Sequence, residues 1–540
     1  MTPFTEPHWR PARWLFLAAT LMCSTAQAQF NPARVERESA AVAARYADPD
    51  VHYDSPGFNA GRADFTSHAE ALAYLDKLAQ RTDRLRVEVI GQSQGGRAIV
   101  MAVLTVGGPP DPARPTVLIL GQQHGNEPAG GEAALVLAAE LLGARGDMLE
   151  RVNVLIIPRA NPDGAERVAR TTANGIDLNR DHLLLRTPEA RAIAAAIARF
   201  QPQVLLDLHE FTVGDRMVRK FGAVQKYDAQ LQAATVGNLD PTLAAFAHEH
   251  YERPMHQALN AQGLSSFDYH TTTPDTQDKV LAMVGVQPDT GRNTGGLRPA
   301  VSMLLEVRGG GIGRAHFLRR VHTQVLAVMT AIEAAAVQGP ELVKAVQLAG
   351  VASASAACQG ALIIAAKHTL TRREVVMVDA VTGADKPITV DWRAATPLVV
   401  ERSRPRPCGY LLAADQRDAV ERLRWLGVKV STVAQAARWQ LEHYDLVGER
   451  GGQRQDARGV VSDGGQDGIR VFEVKTRAVQ DVGGPGAFYI GLDQPMGALV
   501  AAALEPDSQS SYAANRLLDI DGGRLRRVTR TPPPALLTAP

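Results

Sequence analysis

Four short apolar runs constrain the fold more than anything else in this chain: Val117–Leu120, Val152–Ile157, Val204–Leu208 and Val301–Leu305. Each is continuous or nearly so rather than alternating. That is the pattern of a strand buried on both faces, and such strands belong to sheets covered by helices. Helical stretches lie between them. Pro128 to Gly143 is rich in Ala and Leu. Thr187-Pro188-Glu189 opens Ala190 to Phe200 with a cap residue and a proline at the first helical position. A further Ala-rich amphipathic stretch runs from about Arg314 to Ala336. The alternation from Ala40 to Gln338 predicts an α/β fold: a mixed, mostly parallel sheet covered by helices.

At 540 residues the chain exceeds the usual domain size several-fold, so more than one domain is expected. After Gly339-Pro340 the texture changes. Val375–Val378, Ile388–Trp392 and Val471–Lys475 look like short strands set between Gly, Pro and Asp turns. Asp415 to Leu426 and Val433 to His443 are the best helical patterns there, and Gly448 to Gly468 reads as a polar, Gly-rich, mobile loop. The uncharged stretch Val346 to Ala366 is too rich in Ala, Ser, Gly and Gln for a membrane span, and reads as a surface strand or loop. Residues 340–540 are therefore expected to form a β-rich C-terminal domain following a domain over 29–339.

Residues 1–28 read as an address. Arg10 and Arg13 precede the apolar run Trp14–Met22, and Ala26-Gln27-Ala28 is a small-x-small cleavage pattern. The order predicts a signal peptide cleaved after Ala28, an exported chain, periplasmic or extracellular, and no stable membrane span after cleavage. Met22 is too bulky for lipid processing at Cys23. Basic residues (58) nearly cancel acidic ones (57), which leaves no global field for nucleic acid. Three cysteines exclude a disulfide-dense scaffold or a Cys-rich metal cluster. Of these the exported chain keeps Cys358 and Cys408, either paired or as buried thiols.

Chemistry gathers where the apolar runs end. His124 and Glu127 lie three residues apart in Gly121–Glu127, His209 follows Asp207-Leu208, and Glu306 follows Leu304-Leu305. Sites in open α/β sheets form outside the carboxyl ends of the strands. Two histidines and two carboxylates there supply three ligands for a catalytic zinc and one base. Between them stand Asn161-Pro-Asp-Gly164, Arg167, Arg170 and Asp177-Leu-Asn179-Arg180.

In this order the motifs resemble the carboxypeptidase A-type zinc metallopeptidase family, over roughly residues 60–335. The resemblance implies that His124, Glu127 and His209 bind one Zn2+ per chain. It implies that Glu306 is the general base for a zinc-activated water, and that Asn179 and Arg180 hold the α-carboxylate of a peptide or cell-wall peptide substrate. It also implies that Arg170, rather than Arg167, stabilises the oxyanion. These residue types suit the work. A carboxylate beside the water shuttles its proton, a planar guanidinium grips a carboxylate, and a fixed cation stabilises developing negative charge. Asp207 either orients a ligand or is a plain carboxylate at the core edge. Asp181 and Glu210 read as surface groups or outer partners of the site. His248-Glu249-His250 reads as an exposed helix end, and Gly309–Gly313 as a turn.

The match departs in one place. Family members commonly carry a mobile tyrosine shortly before the catalytic glutamate, yet Asp289 to Pro299 has none. Tyr269 is the nearest upstream candidate, and Arg292, Asn293, Thr294 and Arg298 are further candidates for substrate contact. The region 340–540 resembles extensions found on some bacterial members. The expectation is an exported zinc metallocarboxypeptidase. Its alternatives are a zinc deacylase of N-acyl amino acids, similar to aspartoacylase and succinylglutamate desuccinylase, and a non-catalytic binding protein on the same scaffold.

Overall fold

The computed structural model describes residues 35–283, 285–465 and 468–538. The leader expected over residues 1–28 lies outside them. All four apolar runs are strands of one eight-stranded mixed sheet. Its members in chain order are β1 (Leu85–Gln92), β2 (Ala98–Leu104), β3 (Thr116–Leu120), β4 (Asn153–Ile157), β5 (Val204–Thr212), β6 (Ala229–Ala233), β7 (Ser266–Asp268) and β8 (Val301–Gly310). They lie in the order β1-β2-β4-β3-β5-β8-β6-β7. The central β4-β3-β5-β8 block is parallel throughout, while β1, β2 and β6 join antiparallel. β3 and β4 are buried at every position, as continuous apolar runs require.

The two-residue period of the strands divides the core. Val117, Ile119, Val154, Ile156 and Leu206 face one apolar cluster, and Leu118, Leu120, Leu155, Ile157 and Leu205 face the other. Helices α1 (Pro128–Leu142) and α3 (Phe317–Val337) cover the first face. The second face is covered by α2 (Pro188–Phe200) together with Tyr410, Leu412, Leu423, Ile490 and Leu499 of the C-terminal region. The start of α2 is fixed locally: the Thr187 hydroxyl accepts from the Ala190 amide at 3.2 Å. Asp181 in turn accepts from the Thr187 amide and hydroxyl, each at 2.8 Å.

The C-terminal region is rich in strands, as expected. Two long hairpins, Ala361–Asp379 with Asp385–Pro405 and Ala437–Gly452 with Ile469–Gly483, anchor a five-stranded and a seven-stranded sheet. Strands of the two regions also pair directly: Val280–Ala282 runs beside Asp391–Arg393, and Ala223–Val224 beside Val378–Asp379.

Three local expectations need correction. The stretch from Val346 is not a surface strand or loop at first, because helix α4 (Gly339–Ser355) continues through it before a strand opens at Ala361. Its Ala content favours helix, and Leu342 and Ala349 pack into the first core cluster. Val433 to His443 is not a helix but the end of one strand, Ser431–Val433, and the start of another, Ala437–Gly452. Trp439 and Leu441 are buried and Gln440 is exposed, a two-residue period that hydrogen-bonded pairing with Ile469–Gly483 enforces over local helix propensity. Gly448 to Gly468 is not an open loop: it finishes that strand and then forms a tight hairpin, Gln455–Asp456 with Gly459–Val460. Among the described residues no single helix is long and apolar enough to cross a membrane. The pair α3 and α4 passes together on length and composition but is bent by 86°.

Cys358 and Cys408 are joined, closing a loop of 50 residues across the start of the C-terminal region. Loop-closure entropy of that size contributes about 4 kcal/mol, so reduction should lower the denaturation midpoint markedly. A thiol titration of the unfolded, unreduced chain cleaved after Ala28 should find no free thiol, and two reactive thiols would disprove the link.

Candidate active site

The turn leaving β3 carries His124 and Glu127, and its shape depends on glycine. A Cβ on Gly125 would collide with the backbone of Gly164, so the ligand turn is seated on the Asn161–Gly164 motif. Asn161 secures this contact: its Oδ1 accepts from Gly164 N at 2.9 Å, and its Nδ2 donates to the Gln123 carbonyl at 3.1 Å. His209 sits within β5, where the register places Glu306 of β8 directly beside it. Fold geometry thus brings residues 124, 127, 209 and 306 to one end of the sheet.

His124, Glu127 and His209 are buried, and one ligand atom from each lies within 4.8 Å of the others. The Nδ1 atoms of the histidines are 3.0 Å apart, and each is 2.9 Å from an oxygen of Glu127. The opposite ring nitrogens meet carboxylates: His124 Nε2 lies 3.0 Å from Asp177, and His209 Nε2 lies 2.9 Å from Asp207. Each imidazole is thus flanked by carboxylates on both sides; with a cation between the two Nδ1 atoms, each Nε2 would keep its proton on its carboxylate and each Nδ1 would offer a lone pair inward. Two lone pairs and a carboxylate converging in a buried space fit a cation, and His2Glu is a suitable donor set for zinc. Burial pushes the carboxyls of Asp177 and Asp207 up, but Arg170 and His124 hold Asp177 well below its usual value, and His209 holds Asp207 below. Asp207 is thus buried against His209 Nε2 and Gln123, in the position of a carboxylate that would orient the imidazole.

Glu306 opens onto the same cavity, of about 470 Å3. Burial pushes its carboxyl up to about 7 against the pull of His209, and the Tyr269 hydroxyl hydrogen-bonds to it. Tyr269, distant in sequence, is therefore beside the glutamate in space. Arg170 lines the cavity, with Nη2 2.9 Å from Asp177 and Nη1 3.2 Å from Glu127. Arg167 instead donates to the Asp163 carbonyl at 3.2 Å. Asn179 Oδ1 accepts from Gly291 N at 2.8 Å, and its Nδ2 lies 3.0 Å from His209. Arg180 is almost completely buried and forms an ion pair with Asp456 of the C-terminal hairpin.

Of the two readings of Glu210, outer partner of the site is the one that fits: it is buried, its amide donates to Glu127 at 3.1 Å, and its carboxylate accepts from Ala129 N at the start of α1 and pairs with Arg320. Asp181 is also buried and caps the turn into α2. Asn293 is spent on backbone, donating to the Gly285 and Gln287 carbonyls at 2.9 Å each, and Arg292 donates to the Gly285 carbonyl at 3.0 Å. Residues 292, 293, 294 and 298 are buried outside the cavity lining. His248 and Glu249 are exposed as expected, but they lie in a π-helical segment, His248–Glu252, that joins helices Pro241–Ala247 and Arg253–Ala261, and not at a helix end. Sequence reasoning missed the orienting role of Asp177, although its motif was noted, and missed Arg454, Asp456 and Arg458, which lie inside the stretch read as a loop.

The zinc carboxypeptidase (Peptidase M14) family model matches residues 71–203. Carboxypeptidase 2 of Trichophyton rubrum is 26% identical over 523 residues, covering 93% of this chain and 95% of its own. Carboxypeptidase E of Caenorhabditis elegans is 38% identical over 112 residues, 17% of this chain and 24% of its own. Among solved structures, carboxypeptidase A of Helicoverpa armigera aligns over 51% of this chain and 74% of its own, at 18% identity and a TM-score of 0.39. Residues 71–203 thus match a zinc carboxypeptidase domain, and the chain is a peptide-bond hydrolase, a metallocarboxypeptidase acting on peptides. The deacylase and binding-protein alternatives are not favoured.

Removing a carboxylate that orients a metal-binding imidazole typically weakens metal affinity about 10–100-fold. Asp207→Asn is therefore expected to weaken zinc binding by that factor in a competition titration while leaving the far-UV circular dichroism unchanged. Wild-type affinity in this variant would show that Asp207 does not orient His209.

Proposed function

We propose that this chain is exported and removes C-terminal residues from peptides, cell-wall peptides included, with one zinc ion per chain held by His124, Glu127 and His209. In this reading residues 29–339 are the catalytic domain and 340–540 a C-terminal domain that contributes to its cleft. The observation that carries it is the register of β5 and β8: it sets Glu306 beside His209, facing the cavity that Arg170 and Arg180 also line.

Zinc, when bound, supplies a Lewis acid that polarises the amide carbonyl and acidifies water. Glu306 is the general base. Its carboxylate takes the proton of the attacking water and delivers it to the leaving nitrogen, and Tyr269 holds that carboxylate in place. Arg170, braced by Asp177, donates to the oxygen that gains negative charge. Arg180 lines the wall facing the substrate's terminal carboxylate, with Asn179 buried outside the cavity lining beside His209. Glu306 is not among the three ligands, so base and metal site are separable.

Glu306→Gln is expected to retain one equivalent of zinc and to lose on the order of 10²–10⁴ in kcat, the usual contribution of a positioned base. Loss of zinc together with activity would assign Glu306 to the metal instead. The reaction itself is tested by mass spectrometry of a mixed peptide library incubated with zinc-loaded protein. Chelator-sensitive ladders of single C-terminal losses are expected, and intact peptides would overturn the reading.

A further inference from the structure

Arg180 raises a difficulty for the substrate. The side chain that should meet the terminal carboxylate already has one, because Asp456 is paired with it. Asp456 is the pivot of a small charged cluster. Its Oδ1 accepts from Arg458 N at 2.7 Å, and its Oδ2 lies 3.2 Å from Arg458 Nη2. Arg458 is the less buried arginine, with 28% of its side chain exposed against 5% for Arg180. It lines the cavity with Glu306, Tyr269 and Arg170.

The hairpin that brings these residues is fastened on every side. Arg454 Nη2 donates to the Arg180 carbonyl at 2.6 Å and pairs with buried Asp289 at 2.5 Å. Arg216 donates to the Arg458 carbonyl at 2.9 Å, Asp177 N to the Ser462 carbonyl at 3.0 Å, and Ile176 bridges to Asp463. Such a segment is a fixed wall of the cleft and not a plug waiting to leave. Asp456 then serves to hold two guanidinium groups side by side.

Building on the carboxypeptidase reading, we propose that Arg458, supplied by the C-terminal region, is a substrate-binding residue that receives the terminal carboxylate, and that Asp456 is the residue positioning it beside Arg180. The planar fork of Arg458 offers two parallel donors to a carboxylate entering past Tyr269. A C-terminal region that contributes this donor is part of the active site.

Steady-state kinetics of the full-length, zinc-loaded chain on N-acylated dipeptides test the assignment, with Arg458→Gln, Arg458→Lys and Asp456→Asn. Losing a charged hydrogen-bond donor should raise KM roughly 30-fold in Arg458→Gln with kcat within about threefold. Arg458→Lys should recover part of this loss, since it keeps the charge without the fork. Asp456→Asn should also raise KM, whereas a blocking contact would make KM fall. A KM in Arg458→Gln within twofold of wild type, or a fall in Asp456→Asn, would overturn the proposal. Calorimetric binding of an N-acyl amino acid and its carboxamide gives a second readout that needs no turnover. Wild type should prefer the carboxylate and Arg458→Gln should lose that preference; equal binding by the two proteins would overturn the role of Arg458. If wild type trims no peptide, the carboxypeptidase reading fails by itself, and the calorimetry still decides Arg458.

Discussion

The second face of the central sheet is the constraint on which the rest of the molecule depends. Strands apolar on both sides must be covered twice, and the first region supplies α2 but not enough else for that face. Tyr410, Leu412, Ile490 and Leu499 complete the layer, so one continuous core runs from β3 into the C-terminal region. The hydrophobic effect that closes this core also fixes where the C-terminal hairpins point. One of them ends at the mouth of the cleft, where its charges meet Arg180 and Asp289. The link between Cys358 and Cys408 ties the entry of the C-terminal region to the same layer.

The metal site is an electrostatic balance built on that scaffold. Glu127, Asp177 and Asp207 surround two imidazoles in a space nearly closed to water, and Arg170 is the cation touching Glu127 and Asp177. Buried like charges repel, so such a cluster invites a further positive charge. Both Nδ1 atoms lie 2.9 Å from Glu127 and the Nε2 atoms lie against Asp177 and Asp207, so a dication between the Nδ1 atoms would displace protons there and answer both the charge and the geometry. Glu306 stands one strand away from this balance. Burial raises its carboxyl to about 7 against the pull of His209, while His124 and His209 hold Glu127 ionised, which divides the states of two carboxylates within one cavity.

What could be read in the sequence follows from how local each signal is. The four buried strands were legible because continuous apolar runs need no partner to be recognised. His124, Glu127, His209 and Glu306 were legible because each follows such a run. The helix at Gly339–Ser355 was obscured by its low Leu and Ile content, and the strand Ala437–Gly452 by Ala and Gln that favour helix until a partner strand is present. Asp456 and Arg458 left no readable trace. They lie 276 and more residues from Arg180, in a polar stretch that owes its order to charges contributed by the first region. Tyr269 falls between these cases, its type expected and its distance from Glu306 along the chain misleading.

The choice between a wall and a plug turns on which charges would be left behind. If the hairpin swung away, Arg180 and Asp289 would stay on the first region without Asp456 and Arg454. Each charge left buried and unpaired costs on the order of 3–5 kcal/mol. An entering substrate carboxylate replaces Asp456 on Arg180, so that loss is offset. No part of a peptide's carboxyl end replaces Arg454 on Asp289, where the Ser510 hydroxyl, at 2.7 Å, is the other donor. Opening therefore carries a cost that substrate binding does not return, whereas binding to Arg458 with the hairpin in place breaks neither pair. Recognition by an added arginine is the arrangement that leaves the buried charges of the cleft satisfied throughout.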